Sequence, residues 1–156
     1  MFTNNAPALT KRLQKFKDLP ENMLRKSIII DVKFLHKAVT ERTPVHTGKS
    51  LANWVWSVGA PFSGTVKEST AGDIGQTRNA PLGSEGRRPS NQAKTDKSLA
   101  SLNFSDPFQV FYLTNNAENI MDLEMGKLPT SKDSRSPDGM ARISMQELKT
   151  VMSRMK

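Results

Sequence analysis

Arg42-Thr43-Pro44-Val45-His46-Thr47-Gly48 is the stretch on which the fold turns. Pro44 drives Thr43 away from helical geometry and withholds a backbone donor, and Gly48 permits a positive backbone angle four residues later. On its N-terminal side, Leu24, Ile28, Val32, Leu35 and Val39 recur at steps of 4, 4, 3 and 4, one apolar stripe of a long helix. Ile29, Ile30 and Phe34 widen that stripe, which predicts cover on more than one side. On its C-terminal side, Asn53-Trp54-Val55-Trp56-Ser57-Val58 has the two-residue period of a strand, with Trp54, Trp56 and Val58 on one face. The turn, carried by Thr43, Pro44, Val45, Thr47 and Gly48, therefore delivers a helix onto a sheet.

Outward from that join the signals weaken. Residues 6 to 17 form a weakly helical arm, and Asp18 is placed to cap the long helix ahead of Pro20. After the first strand, Gly59, Pro61 and Gly64 suggest a hairpin with Phe62 and Val66 on its return. Residues 59 to 103 hold only eleven members of the hydrophobic set in 45 positions, and they read as an excursion ordered by a neighbouring subunit. Within it, Ser90 to Leu102 suggests a short helix capped by Ser90 and anchored by Leu99 and Leu102, preceded by a basic loop at residues 83 to 89.

Phe108 to Thr114 is apolar on both faces and predicts a central strand. Ile120, Met121, Leu123 and Glu124 form a short helical piece that Gly126 stops, and Lys127 to Asp138 form a second polar loop. Ser144 followed by Glu147 fits a capping box ahead of a last helix with Leu148, Val151, Met152 and Met155 on one stripe. The expected class is α+β: long N-terminal and C-terminal helices on a small, mainly antiparallel sheet, in one domain spanning residues 1 to 156.

The 156 residues carry 23 basic and 15 acidic side chains, a net charge of +8, and no cysteine. Disulfides, thiolate metal sites and thiol nucleophiles are excluded. Neither a signal peptide nor a membrane span is legible, since the longest aliphatic run is Ile28-Ile29-Ile30, so the expectation is a soluble protein made in a cytoplasm. The charge excess is N-terminal, ten basic against four acidic side chains in residues 1 to 49 and seven of each in residues 106 to 156. It reads either as a solvated helix face or as one that meets nucleic acid or an acidic protein.

Chemistry is hard to find. His46-Thr47-Gly48-Lys49-Ser50 resembles the end of a phosphate-binding loop, but Thr43 stands where the required earlier glycine belongs, and the expected strand and helix are in reversed order. His36 and His46 are ten residues apart with no ligand set around them, and Asp122 and Glu124 do not share a helix face. No glycine-flanked serine elbow exists. The expectation is no enzyme, no metal and no cofactor.

The order of motifs resembles the tail-component family typified by gene product ten of the Hong Kong 97 phage. Arg42 to Gly48 before a Trp-bearing strand resembles that family's Arg-Thr-Pro-Val-Asp-Thr-Gly signature. Asp73-Ile74-Gly75, Tyr112-Leu113-Thr114-Asn115-Asn116, Leu123-Glu124-Met125-Gly126 and the run from Ser136 to Ser144 resemble later family motifs in the same order, over roughly residues 20 to 156. His46 replaces the usual acid, Glu118-Asn119 stands where Pro-Tyr is common, and Met125 replaces a tyrosine.

The resemblance implies a structural virion protein of a tailed phage, a tail-completion or head-to-tail joining component of the neck. Such a protein assembles as a ring, six- or twelve-fold, against connector or stopper, tail terminator and tail tube proteins, close to the DNA channel, with no membrane and no small-molecule substrate. Ring contacts are heterologous. The expected interface residues are Asp73, Gly75, Arg87, Arg88, Asn115, Asn116, Glu124, Gly126, Lys127, Pro137, Gly139 and Met140. The competing expectation is a nucleic-acid-binding module acting through the basic N-terminal helices, recognisable by steep salt dependence.

Overall fold

The apolar stripe before Pro44 winds into α1 (Glu21–Arg42), which buries Leu24, Val32 and Val39 and also His36, Ala38 and Thr40. The computed structural model of the chain describes residues 20–71, 85–127 and 139–154. Pro20 stands at the α1 N-cap, and its carbonyl accepts from the Met23 and Leu24 amides. The expected arm at residues 6 to 17 and the Asp18 cap lie outside the described residues, as do Asp73, Gly75 and Pro137.

At the far end Thr43 is extended (φ −70°, ψ 119°), as a residue before proline should be, and Gly48 is left-handed with φ 89°. The chain does not pass straight into the strand. A single helical turn, α2 (Lys49–Ala52), intervenes before β1 (Trp54–Val58). One argument against a phosphate loop is thereby corrected, since a helix does follow Gly48; the absent glycine at Thr43 and the helix in front remain.

β1 pairs antiparallel with β2 (Phe111–Asn115), setting Trp54 opposite Asn115, Trp56 opposite Leu113 and Val58 opposite Phe111. The ladder continues with the Gly59 amide donating to the Val110 carbonyl at 3.0 Å. Antiparallel pairs alternate, so the backbone groups of Trp54 and Trp56 point away from β2. They are met by α3 (Arg88–Ala100), where the Thr95 hydroxyl donates to the Trp54 carbonyl and the Trp56 amide donates to the Ser98 hydroxyl. By the same alternation the outward groups of Phe111 and Leu113 leave β2 as an edge, with no hydrogen-bond partner among the described residues.

Three expectations about the sheet and its loops are thus corrected. The second strand is an edge, not a centre, and it begins only at Phe111 because Asp106 accepts the Phe108 amide at 2.8 Å in a tight turn. No return strand forms at Phe62 or Val66, because the Asn53 side chain takes both backbone groups of Val66, at 2.9 and 2.7 Å. The stretch from 88 to 100 is no excursion, since it packs on α2 and β1. Its helix begins at Arg88, ahead of Ser90, and its buried residues are Asn91 and Thr95, while Leu99 and Leu102 are half-buried.

Two helices complete the fold, α4 (Ile120–Glu124), closed by Gly126 at φ 65°, and α5 (Ala141–Arg154), which packs along α1. Ser144 and Glu147 do not form a capping box, because α5 has already started at Ala141 and both side chains turn to Arg42. The core is Val39, Val45, Leu51, Trp54, Leu123 and Met140, with Leu35, Leu113, Ile120 and Ala141 packed against it. The chain is an α+β protein with an N-terminal helix, a C-terminal helix and a small antiparallel sheet among its described residues.

Candidate functional site

The residues singled out by sequence converge on one junction, where the corner from Thr43 to Gly48 meets the starts of α3 and α5. Thr43 is fully buried, and its hydroxyl donates to the Val39 carbonyl at 2.6 Å while accepting the Trp54 indole N–H at 2.7 Å. The corner's carbonyls are held from α3. Arg88 donates to Thr40 and Thr43 at 2.9 and 2.8 Å, and Arg87 donates to Thr47 at 3.1 Å. Val45 is buried in the core, whereas His46 and Thr47 face solvent.

Gly48 is required twice over. Its positive φ disfavours any side chain, and a Cβ there would lie 2.2 Å from the Asn91 amide nitrogen. Asn91 is itself fully buried, accepting from the Ser69 amide at 2.7 Å and donating to the carbonyls of Ser69 and Arg87 at 3.0 and 2.9 Å. One side chain therefore fixes the loop after β1, the start of α3 and the space beside the corner.

On the other side of the junction Glu124 caps α5 from outside it. Its carboxylate accepts the backbone N–H groups of Met140, Ala141 and Arg142 at 2.8, 3.0 and 2.8 Å. The approach demands Gly139, whose φ is 97° and whose Cβ position would sit 2.8 Å from the Glu124 carbonyl. Met140 is fully buried behind it. Arg42 then ties α1 to α5, donating to the Ser144 hydroxyl at 3.1 Å and to Glu147 at 2.6 Å.

Asn115 and Asn116 act in the same way. Asn115 donates to the Ser50 carbonyl and accepts the Ala117 amide, and Asn116 donates to the carbonyls of Phe62 and Gly64. Arg87, Arg88, Asn115, Asn116, Glu124, Gly139 and Met140, expected at a subunit interface, thus make contacts within the chain. Gly126 closes α4, and the amide of exposed Lys127 donates to the Asp122 carbonyl at 2.8 Å.

Sequence reasoning missed one polar cluster. The Trp56 indole donates to Nδ1 of buried His36 at 3.1 Å, which places the ring proton on Nε2, 2.8 Å from Asp96 Oδ1. Gln92 donates to the same carboxylate oxygen at 2.7 Å. A groove of about 370 Å³ runs beside it, lined by His36, Lys37, Thr40, Glu41, Arg88, Gln92 and Asp96. Both imidazole nitrogens are engaged by partners within the chain. Its legible signal was spacing, since His36 and Thr40 continue the row of Leu24, Ile28 and Val32 at steps of four and are buried on the same face. Among the described residues no cluster of His, Asp and Glu could hold a metal ion, and no described helix is long and apolar enough to cross a membrane.

Neither a family model, nor a curated protein, nor a solved structure matches the chain.

Proposed function

We propose that the chain is a structural joining protein of a tailed-phage neck, assembling as a ring that connects the head-side connector to the tail. The observation that carries this reading is the convergence of separate motifs on one junction. Val45 and Trp54 from the first motif, Leu123 from the fourth and Met140 from the last form a single core cluster, and Arg42, Glu124 and Gly139 lock its rim. Motifs that resemble one family in sequence order therefore also cooperate in space, as parts of one architecture should.

Two further features support a role in assembly. The polar side chains at the junction hold loop backbone in place and present no reacting groups to a pocket. Surface suited to neighbours is available in the edge of β2, which no other described strand pairs, beside Phe108 (76% exposed) and Val110 (56%), and in Met121 and Met125. The subunit contacts belong there, on side chains that the junction does not use.

Light scattering and electron microscopy of the purified protein, alone and mixed with connector and tail-tube proteins from the same genome, test the proposal. The expected result is a closed ring of six or twelve copies in at least one of the samples. A strict monomer in both would overturn it.

A further inference from the structure

The outward face of α1 carries Met23, Lys26, Ile30, Lys33 and Lys37 at alternating steps of three and four, so the five side chains form one stripe. Met23 and Ile30 are 53% and 59% exposed, Lys26 and Lys33 are exposed, and the Lys37 side chain is 74% exposed. At a rise of about 1.5 Å per residue the stripe runs roughly 21 Å.

Two of its three lysines, Lys26 and Lys33, have no acidic partner among the described residues, whereas other cations in the fold are tied down. Arg25 pairs with Glu21 and donates to the Ser105 carbonyl, Arg42 pairs with Glu147, Lys49 with Glu118, and Lys94 donates to the Lys67 carbonyl. Among the described residues no acid pairs with Lys26 or Lys33, and Lys37 has Glu41 at 3.8 Å, at the stripe's C-terminal end.

We propose that this stripe docks an acidic amphipathic helix of a partner protein. Steps of three and four are the spacing at which two helices interlock along their length. The lysines call for carboxylates opposite them, and Met23 and Ile30 call for aliphatic side chains in the same register. A phosphate backbone would use the lysines but gain nothing from Ile30 at the centre of the stripe, and that residue favours a protein helix over a nucleic acid. The proposal stands independently of ring formation.

Fluorescence anisotropy at about 0.15 M salt, where exposed charges are screened beyond roughly 8 Å, tests it with three labelled probes. One is a synthetic peptide of roughly three heptads that places leucine opposite Met23 and Ile30 and glutamate opposite the lysines. The others are its scrambled isomer and a short DNA duplex. The amphipathic peptide should bind at least ~10-fold more tightly than the scrambled one, and K26E/K33E and M23S/I30S should each weaken it by ~10-fold or more. Circular dichroism should stay unchanged in both variants, because all four positions are exposed. Equal binding of the two peptides, a loss confined to one variant, or tighter binding of the duplex through the same lysines would overturn the proposal.

Discussion

Replacing Glu124 with alanine probes the junction at its most economical point. One carboxylate accepts three backbone N–H groups at the start of α5, where amides have no intrahelical carbonyl to meet. Loss of a capping side chain costs about 1–2 kcal/mol. Loss of a negative charge at a helix N-terminus adds about 0.3–1 kcal/mol. Glu124 is half-buried, so water recovers part of this, and the expected destabilisation of E124A is about 1–2.5 kcal/mol. For a chain of this length that corresponds to a fall in Tm of roughly 2–10 °C.

Urea denaturation reports it directly, because Trp54 and Trp56 are buried and their fluorescence follows the core. Amide exchange at Met140, Ala141 and Arg142 should accelerate in the same variant. E118A is the control: Glu118 pairs with Lys49 at 3.1 Å but its side chain is 82% exposed, and its loss should cost less than about 0.5 kcal/mol. A midpoint for E124A equal to that of E118A, with exchange at the three amides unchanged, would refute the idea that α4 caps α5.

G48A should cost more than about 2 kcal/mol, since it joins a left-handed strain of about 1–2 kcal/mol to a collision with Asn91. In G48A/N91A the collision is relieved, so the double variant should be less destabilised than the sum of the singles by at least about 1 kcal/mol; strict additivity would argue against the contact. R42A should lose about 1–2 kcal/mol, a figure held down because the Arg42 and Glu147 side chains are 25% and 44% exposed, and R42K should recover less than half, for want of a second nitrogen to reach Ser144; full recovery by lysine in urea titrations would exclude the forked contact. Burial raises the Asp31 carboxyl above its ordinary value of 3.8, so the folded chain holds this proton more tightly and the group's contribution to stability falls as pH rises from that value through the folded one. D31N should therefore raise Tm at pH 7 and leave it unchanged near pH 3, and no gain at pH 7 would count against the desolvation.

The long helix, its stop at Pro44, the tryptophan strand and the short helix ended by Gly126 were legible because each rests on local pattern or backbone chemistry. α3 was legible as a short helix near residues 90 to 102, but its packing was not, because the side chains it buries are Asn91 and Thr95 and its ties to β1 are Thr95 and Ser98. Those three lie at i, i+4 and i+7, a helical stripe of small hydrogen-bonding residues that a count of apolar positions passes over. The capping box failed for the opposite reason. Ser144 and Glu147 have the correct local spacing, but Arg42, 102 and 105 positions away, claims both. Phe108 looks like a strand interior, and the turn held by Asp106 keeps it out of the ladder, which reaches only to Val110. The candidate site divides similarly. The need for glycine at position 48 was readable, whereas its partner Asn91 was not, because close approach of distant segments leaves no mark in the sequence around either one.

The junction has a consequence for recognition even though it presents no reacting group. The charged side chains at the junction are taken up within the chain: Arg42 pairs with Glu147, Arg88 donates to two carbonyls, and Glu124 accepts from three amides. The exposed surface of the described residues includes the lysine stripe of α1 and the apolar residues near β2. α1 is pinned on its inner side at three heights, by Arg25 to the Ser105 carbonyl, by His36 to Trp56 and Asp96, and by Arg42 to α5. A helix held at three heights cannot roll, so its outer stripe is presented in one orientation. Loosening the corner should then weaken docking of an acidic helix without touching a single residue of the stripe, and in G48A the loss of affinity should follow the loss of stability, whereas in K26E/K33E affinity should fall with stability unchanged.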